Sequence, residues 1–127
     1  MILLKVLYSN KKTEEICEDF AKAKRFFGGK EILAVSLLSR INAINEAETL
    51  DDIRVQPQFR FHKLLNKGKG KNLLGYYAID VKSKIDAWRI ILKPLDENEK
   101  EYSGFNIDEI SKVVKIVEIK EVSDHYE

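Results

Sequence analysis

The chain reads as an α+β protein: a twisted, mainly antiparallel sheet with an N-terminal helical hairpin packed on one face. Three observations predict it. A short aliphatic stretch opens the chain, and two long segments with helical spacing follow. Beyond residue 55 the apolar residues recur at every second position rather than every third or fourth. Helices followed by a run of strands is the pattern of an α+β fold. With 127 residues, 44% of them hydrophobic, the chain is one domain that buries a core without disulfides or structural metal.

Ile2 to Tyr8 is aliphatic with Lys5 as its only charge, which predicts a strand. Ser9-Asn10 offers a helix cap, and Glu14 and Glu15 suit a first turn. Ile16, Phe20, Ala23 and Phe27 predict one amphipathic helix over 11–27, ended by Gly28-Gly29. A second helix is expected from about Lys30 to Ala47, with Leu33, Leu37, Ile41 and Ile44 as its stripe and Ile32, Ala34 and Leu38 widening it. Thr49 to Asp52 reads as a turn. Val55 to Phe61 is a candidate strand in which Pro57 calls for an edge or a bulge. His62 to Asn72 reads as a loop. Gly75 to Val81 alternates Tyr77, Ile79 and Val81 against Tyr76, Ala78 and Asp80. After a turn over 82–86, Ala87 to Lys93 alternates Trp88, Ile90 and Leu92 against Arg89 and Ile91, which makes an antiparallel hairpin. Pro94 to Lys112 is acidic and irregular, with a helical turn expected at Ile107 to Ser111. Val113 to Val122 is the last predicted strand.

Composition removes several classes. Cys17 is the only cysteine, so neither a disulfide framework nor a multi-thiolate zinc site is available. No apolar run approaches membrane-spanning length. Lys5 interrupts the apolar start and no small-residue cleavage site follows, so the expectation is a soluble, cytoplasmic protein without membrane partners. The net charge of +1 hides segregation: residues 1–53 carry −1, residues 54–93 carry +8 and residues 94–127 carry −6. A basic centre points to a polyanion. It is equally what a solvated, solubilising face looks like. The acidic C-terminal part could screen the basic block from within or meet another molecule.

Four places could carry chemistry. In Lys67-Gly68-Lys69-Gly70-Lys71, glycines let backbone amides approach a phosphate and lysines neutralise it, but the spacing is not a Walker loop. Arg89, in mid-strand, is either a rigid phosphate clamp or a structural partner of Asp80 or Asp86. Asp124-His125-Tyr126 offers a proton-transfer group with a carboxylate beside it, on a terminus prone to fraying. His62 follows Phe59-Arg60-Phe61 and is a second proton-transfer candidate or a plain boundary residue. Arg60, Lys63, Lys69, Lys71 and Lys84 are the expected RNA contacts, and no metal or cofactor is expected. Together these side chains fit metal-free RNA cleavage, in which the ribose 2′-hydroxyl attacks the neighbouring phosphate. A base, an acid and cations around the phosphate suffice for it, and a positioned acid or base contributes roughly 10²–10⁴-fold.

The residues Phe61-His62-Lys63-Leu64, Lys67-Gly68, Gly75-Tyr76-Tyr77-Ala78-Ile79-Asp80-Val81, Ala87-Trp88-Arg89-Ile90 and Asp124-His125-Tyr126 occur in an order that resembles the HigB branch of the RelE superfamily, the toxins of type II toxin–antitoxin pairs. The resemblance implies a RelE-like fold and a ribosome-dependent messenger-RNA endonuclease, neutralised by a cognate helix-turn-helix antitoxin. It assigns His62, Lys67 and Arg89 to the site, with Lys69 as a substitute for Lys67 because the loop is longer than the family's. At the tail the family has Asp-Tyr-His, whereas this chain has Asp124-His125-Tyr126 and then Glu127. A one-residue slip on a strand turns a side chain to the other face. The acidic stretch from Asp96 to Lys112 stands where many relatives have a tight turn. The competing expectation is a non-cleaving binding module, or a toxin with another target such as DNA gyrase, on the same scaffold.

Overall fold

The computed structural model describes residues 2–64, 75–102 and 106–125. Its elements are β1 (Lys5–Tyr8), α1 (Lys11–Glu18), α2 (Phe20–Phe26), α3 (Glu31–Glu46), α4 (Asp51–Arg54), a 3₁₀ turn (Pro57–Phe59), β2 (His62–Lys63), β3 (Tyr77–Asp80), β4 (Arg89–Leu95), α5 (Ile107–Ile110) and β5 (Ile116–Ser123). The strands form a five-stranded sheet in the order β1-β5-β4-β3-β2. Only β1 and β5 are parallel; the other pairs are antiparallel. The first and last strands are thus neighbours, and the helices fall in the long connection that a parallel pair needs.

The fold class is α+β, as the change of period predicts, but several elements differ from expectation. The helix predicted over 11–27 is two helices. Asn10 caps the first by accepting from the Thr13 amide at 2.9 Å. Asp19 then leaves the helical region (φ −130°, ψ 116°) and caps the second through the Lys22 amide at 3.0 Å. An aspartate that captures a downstream N–H competes with the helix around it. Gly28 and Gly29 close α2 with φ of 67° and 90°, where side chains are disfavoured. Ile32 does not widen the buried stripe of α3; it is 61% exposed.

The strand expected over Val55 to Phe61 is absent. Pro57 starts a 3₁₀ turn, as its fixed φ favours. Arg60 follows in the left-handed region (φ 46°), so pairing begins only at His62. The turn expected at Thr49 to Asp52 leads into α4. In the centre of the sheet, β4 runs past Lys93 through Pro94 to Leu95. Its ladder with β3 ends at Leu92, so the missing N–H of Pro94 falls where only β5 pairs with β4. The last strand starts at Ile116 rather than Val113.

One core joins the helices to one face of the sheet. Ile16, Ala23, Phe27, Leu33, Leu37, Ile41 and Ile44 share it with Tyr77, Ile79, Ile90, Leu92, Val117, Ile119 and Val122. Trp88 extends it at one end, its ring 5.0 Å from Phe27 and 5.3 Å from Phe26. Emptying the position of the fully buried Leu37 by Leu37→Ala would cost about 2–5 kcal/mol. Among the described residues, the outer face has a small apolar cluster, Leu64, Ala78 and Ile91 with Tyr76 against it. Strand alternation sends Asp80, Arg89, Lys93 and Glu118 to that outer face.

Candidate functional site

At one end of the outer face, Asp80 and Arg89 pair across β3 and β4. Asp80 is 2% exposed. Arg60 grips its carboxylate with two nitrogens, Nε at 2.9 Å from Oδ2 and Nη2 at 2.9 Å from Oδ1. The left-handed backbone at Arg60 puts its side chain within this reach. Arg89 Nε lies 3.2 Å from Asp80 Oδ1, but its N–H is not aligned for a hydrogen bond. The rest of that guanidinium is caged by carbonyls. Nη1 donates to Trp88 at 2.9 Å, to Ser83 at 3.3 Å and to Asp86, and Nη2 donates to Lys84 at 3.2 Å. Arg40 closes the group from α3, donating to the carbonyls of Asp80 (3.1 Å), Gln58 (3.1 Å) and Lys82 (3.3 Å). Burial holds Arg40 below the usual guanidinium range, partly offset by the Asp80 charge.

Arg89 is therefore the structural partner of Asp80, and it also ties down the 83–88 turn. Its side chain is 7% exposed, and a phosphate would have to displace the carbonyls that now satisfy it. Arg60 is spent on the same carboxylate. Arg89 is thus enclosed, while the Arg60 side chain stays 32% exposed.

The other end differs. Lys93 Nζ lies 2.7 Å from Glu101 Oε1, 3.9 Å from Glu118 Oε1 and 3.4 Å from the Tyr76 hydroxyl. It also stands 4.9 Å from the centre of the Tyr76 ring, and Lys120 stands 4.7 Å from the same centre. Both ammonium groups thus lie within cation–π distance of the Tyr76 ring. Burial alone would lower the Lys93 pKa; hydrogen bonds to Glu101 and Tyr76 outweigh it and hold the group above the ordinary lysine value. Lys120 reaches this face because the β4–β5 register shifts between Ile91 and Leu92. Such a bulge sends two consecutive side chains to similar directions.

His62 is on edge strand β2, opposite Ala78. Its Nδ1 is 2.7 Å from the Arg60 carbonyl oxygen. A carbonyl only accepts, so Nδ1 carries a proton and the neutral ring keeps its lone pair on Nε2. Lys63 and Lys84 are exposed. Asp124 and His125 follow β5. The His125 Nε2 stands 3.5 Å from Asp124 Oδ1 with its side chain 80% exposed, and the His125 amide donates to Ser123 Oγ at 3.1 Å. The strands of Ala78 and Ile91 separate His62 from Glu121, a backbone gap of about 14 Å at ordinary strand spacing, and His125 lies further along. The two histidines thus approach one linkage only from opposite sides. Lys67, Lys69, Lys71 and Tyr126 lie outside the described residues.

The grouping therefore places His62 and Tyr76 on one face with Lys93 and Lys120, encloses Arg89 in the scaffold and pairs the partly exposed Arg60 with Asp80. Lys93, Lys120 and Glu101 were not among the expected site residues. Period-two alternation from Arg89 through Ile91 would have found Lys93; the bulge hid Lys120. Among the described residues no three His, Cys, Asp or Glu side chains assemble as a metal-holding group. None of the helices there is long and apolar enough to cross a membrane. No protein-family model matches the chain, and no curated protein or solved structure matches it.

Proposed function

We propose that the chain is a RelE-superfamily toxin of the HigB type, a ribosome-dependent messenger-RNA endonuclease held in check by a cognate helix-turn-helix antitoxin. The observation that carries the reading is the outer sheet face, where Lys93 and Lys120 stand 4.9 Å and 4.7 Å from the Tyr76 ring centre, in the same face as His62. An aromatic ring among cations suits a single-stranded nucleotide, the base against the ring and the phosphates on the ammonium groups. The motif order supports the reading too: the Gly75-Tyr76-Tyr77 segment feeds β3, the Trp88-Arg89-Ile90 segment starts β4, and the tail leaves β5 beside the start of β4, at the end of β3 away from Tyr76.

In this scheme His62 Nε2 takes the proton of the ribose 2′-hydroxyl, whose oxygen attacks the adjacent phosphorus. The 5′-oxygen leaves with a proton from His125, giving a 2′,3′-cyclic phosphate and a 5′-hydroxyl end. Lys93 and Lys120 balance the charge that builds on the phosphate. Asp124 orients His125. Arg89 is a positioning residue, holding the turn before β4 and, through Asp80, the start of β2.

A second reading has one specific observation in its favour. The caged guanidinium of Arg89 removes the strand arginine from the chemistry, which fits a module that grips RNA or a protein target without cutting. Sequencing of 5′-hydroxyl RNA ends after brief induction decides between them. New ends within codons are expected. Intact messages with stalled ribosomes would favour the non-cleaving module, and intact messages with DNA damage would favour a gyrase-directed toxin.

A further inference from the structure

The acidic stretch after β4 finds no use in that scheme, yet its placement is specific. The chain folds back on itself after Leu95. Asp96 Oδ1 accepts from the amides of Asn98 (2.8 Å) and Lys100 (3.0 Å), and the Asp96 amide donates to the Lys100 carbonyl at 2.8 Å. Glu99 takes a left-handed conformation (φ 61°), and Leu95 bridges to Glu101. This self-capped turn sends two carboxylates onto lysines of the sheet: Glu101 to Lys93 at 2.7 Å and Glu99 to Lys5 at 3.1 Å. The two partners of the first pair are unequally held. Lys93 is anchored, 12% exposed and against Tyr76, while Glu101 is 60% exposed. Among the described residues, Lys93 faces Glu101, Glu118 and Tyr76, and of these carboxylates only Glu101 makes a short contact.

We infer that the 96–101 turn is a built-in competitor for the RNA backbone: the Glu101 carboxylate holds Lys93 where a phosphate oxygen would, and gives way when RNA binds. The inference rests on the RNA reading above and adds a regulatory contact to it. A carboxylate and a phosphodiester oxygen make the same charge-assisted bond to an ammonium group. The exchange frees Glu101 to water at little cost, because its carboxylate is already 60% exposed.

Titrating the whole protein with a fluorescein-labelled single-stranded RNA at several salt concentrations tests it. Glu101→Gln should bind roughly two- to five-fold tighter, the scale of one exposed ion pair. Lys93→Gln in the parent should weaken binding and flatten the slope of log K against log salt by about 0.7, the signature of one lost phosphate contact on a single strand. Glu101→Gln made in that Lys93→Gln background should bring no gain in affinity. Glu97→Gln removes a charge from the same turn and should leave the affinity unchanged. An unchanged affinity in Glu101→Gln, or an equal gain in Glu97→Gln, would overturn the inference while leaving RNA binding in place. RNA binding by none of these proteins would overturn both the inference and the functional reading. Binding with the expected slopes but no cleaved messages in cells would keep the inference and defeat only the endonuclease.

Discussion

The two ends of the outer sheet face carry the same kinds of residue and use them differently. Around Asp80, three arginines are spent on one buried carboxylate and a ring of backbone carbonyls. Around Tyr76, two lysines meet an aromatic ring and carboxylates of which the shortest contact is largely exposed. A cation whose donors end on main-chain carbonyls is part of the scaffold, because removing it leaves buried acceptors unsatisfied. A cation held by an exposed carboxylate can change partners.

The comparison breaks most readily at Asp80. Asp80→Ala leaves Arg60 and Arg89 without their counter-charge in a buried place, and should cost about 3–5 kcal/mol in urea unfolding. Arg89→Ala should destabilise on a similar scale, so loss of toxicity in that variant alone would not make Arg89 catalytic. A cost below about 1 kcal/mol for both would mean that the arginines are available to a ligand.

Asp51 gives the next largest effect and a scaffold contrast away from the sheet face. It accepts from Arg54 Nη2 at 2.8 Å and from Ser111 Oγ at 3.0 Å, joining α4 to the end of α5. The Arg54 hydrogen bond, against the pull of burial and with help from Ser111, holds its carboxyl below the ordinary value of 3.8. A depressed folded pKa stabilises the fold above the unfolded value and loses that contribution as pH falls through the folded one. Asp51→Asn should therefore cost about 1–2 kcal/mol near neutrality. The gap to the parent should narrow below pH 4, read by thermal unfolding across pH.

At the exchangeable end the stability effect should be small. Glu101→Gln should shift unfolding by less than about 1 kcal/mol, because the carboxylate is largely exposed. A larger loss would put Lys93 in the scaffold with Arg89. The smallest effect belongs to Cys17. Burial first, and then the Glu18 charge, pushes its thiol up to about 12. Alkylation of the folded protein at mildly alkaline pH should be negligible and should follow unfolding.

Much of this was legible in the sequence. Alternation along 77–80 and 88–92 assigned Tyr77, Ile79, Trp88, Ile90 and Leu92 to one side and Asp80, Arg89 and Ile91 to the other, and the core follows that division. Asn10 and the Gly28-Gly29 pair marked real helix ends. Where a local competitor decided the outcome, periodicity was blind. Asp19 split a helix through its own side-chain bond, and Pro57 began a 3₁₀ turn where alternation promised a strand. The fate of Arg89 was open between clamp and structural pair. The carbonyls that settle its environment come from the preceding turn folding around it, which no spacing rule encodes. The reach of Glu101 to Lys93 depends on a turn reversal at Glu99, and Lys120 on a bulge.

Crosslinking to RNA carrying 4-thiouridine, with the attached peptides read by mass spectrometry, tests most directly whether the Lys93 end of the outer face is where RNA lies. The expected adducts fall on Tyr76 and on the β4 and β5 segments beside it. Adducts confined to the helical side, or to the 82–88 turn around Arg89, would contradict the account.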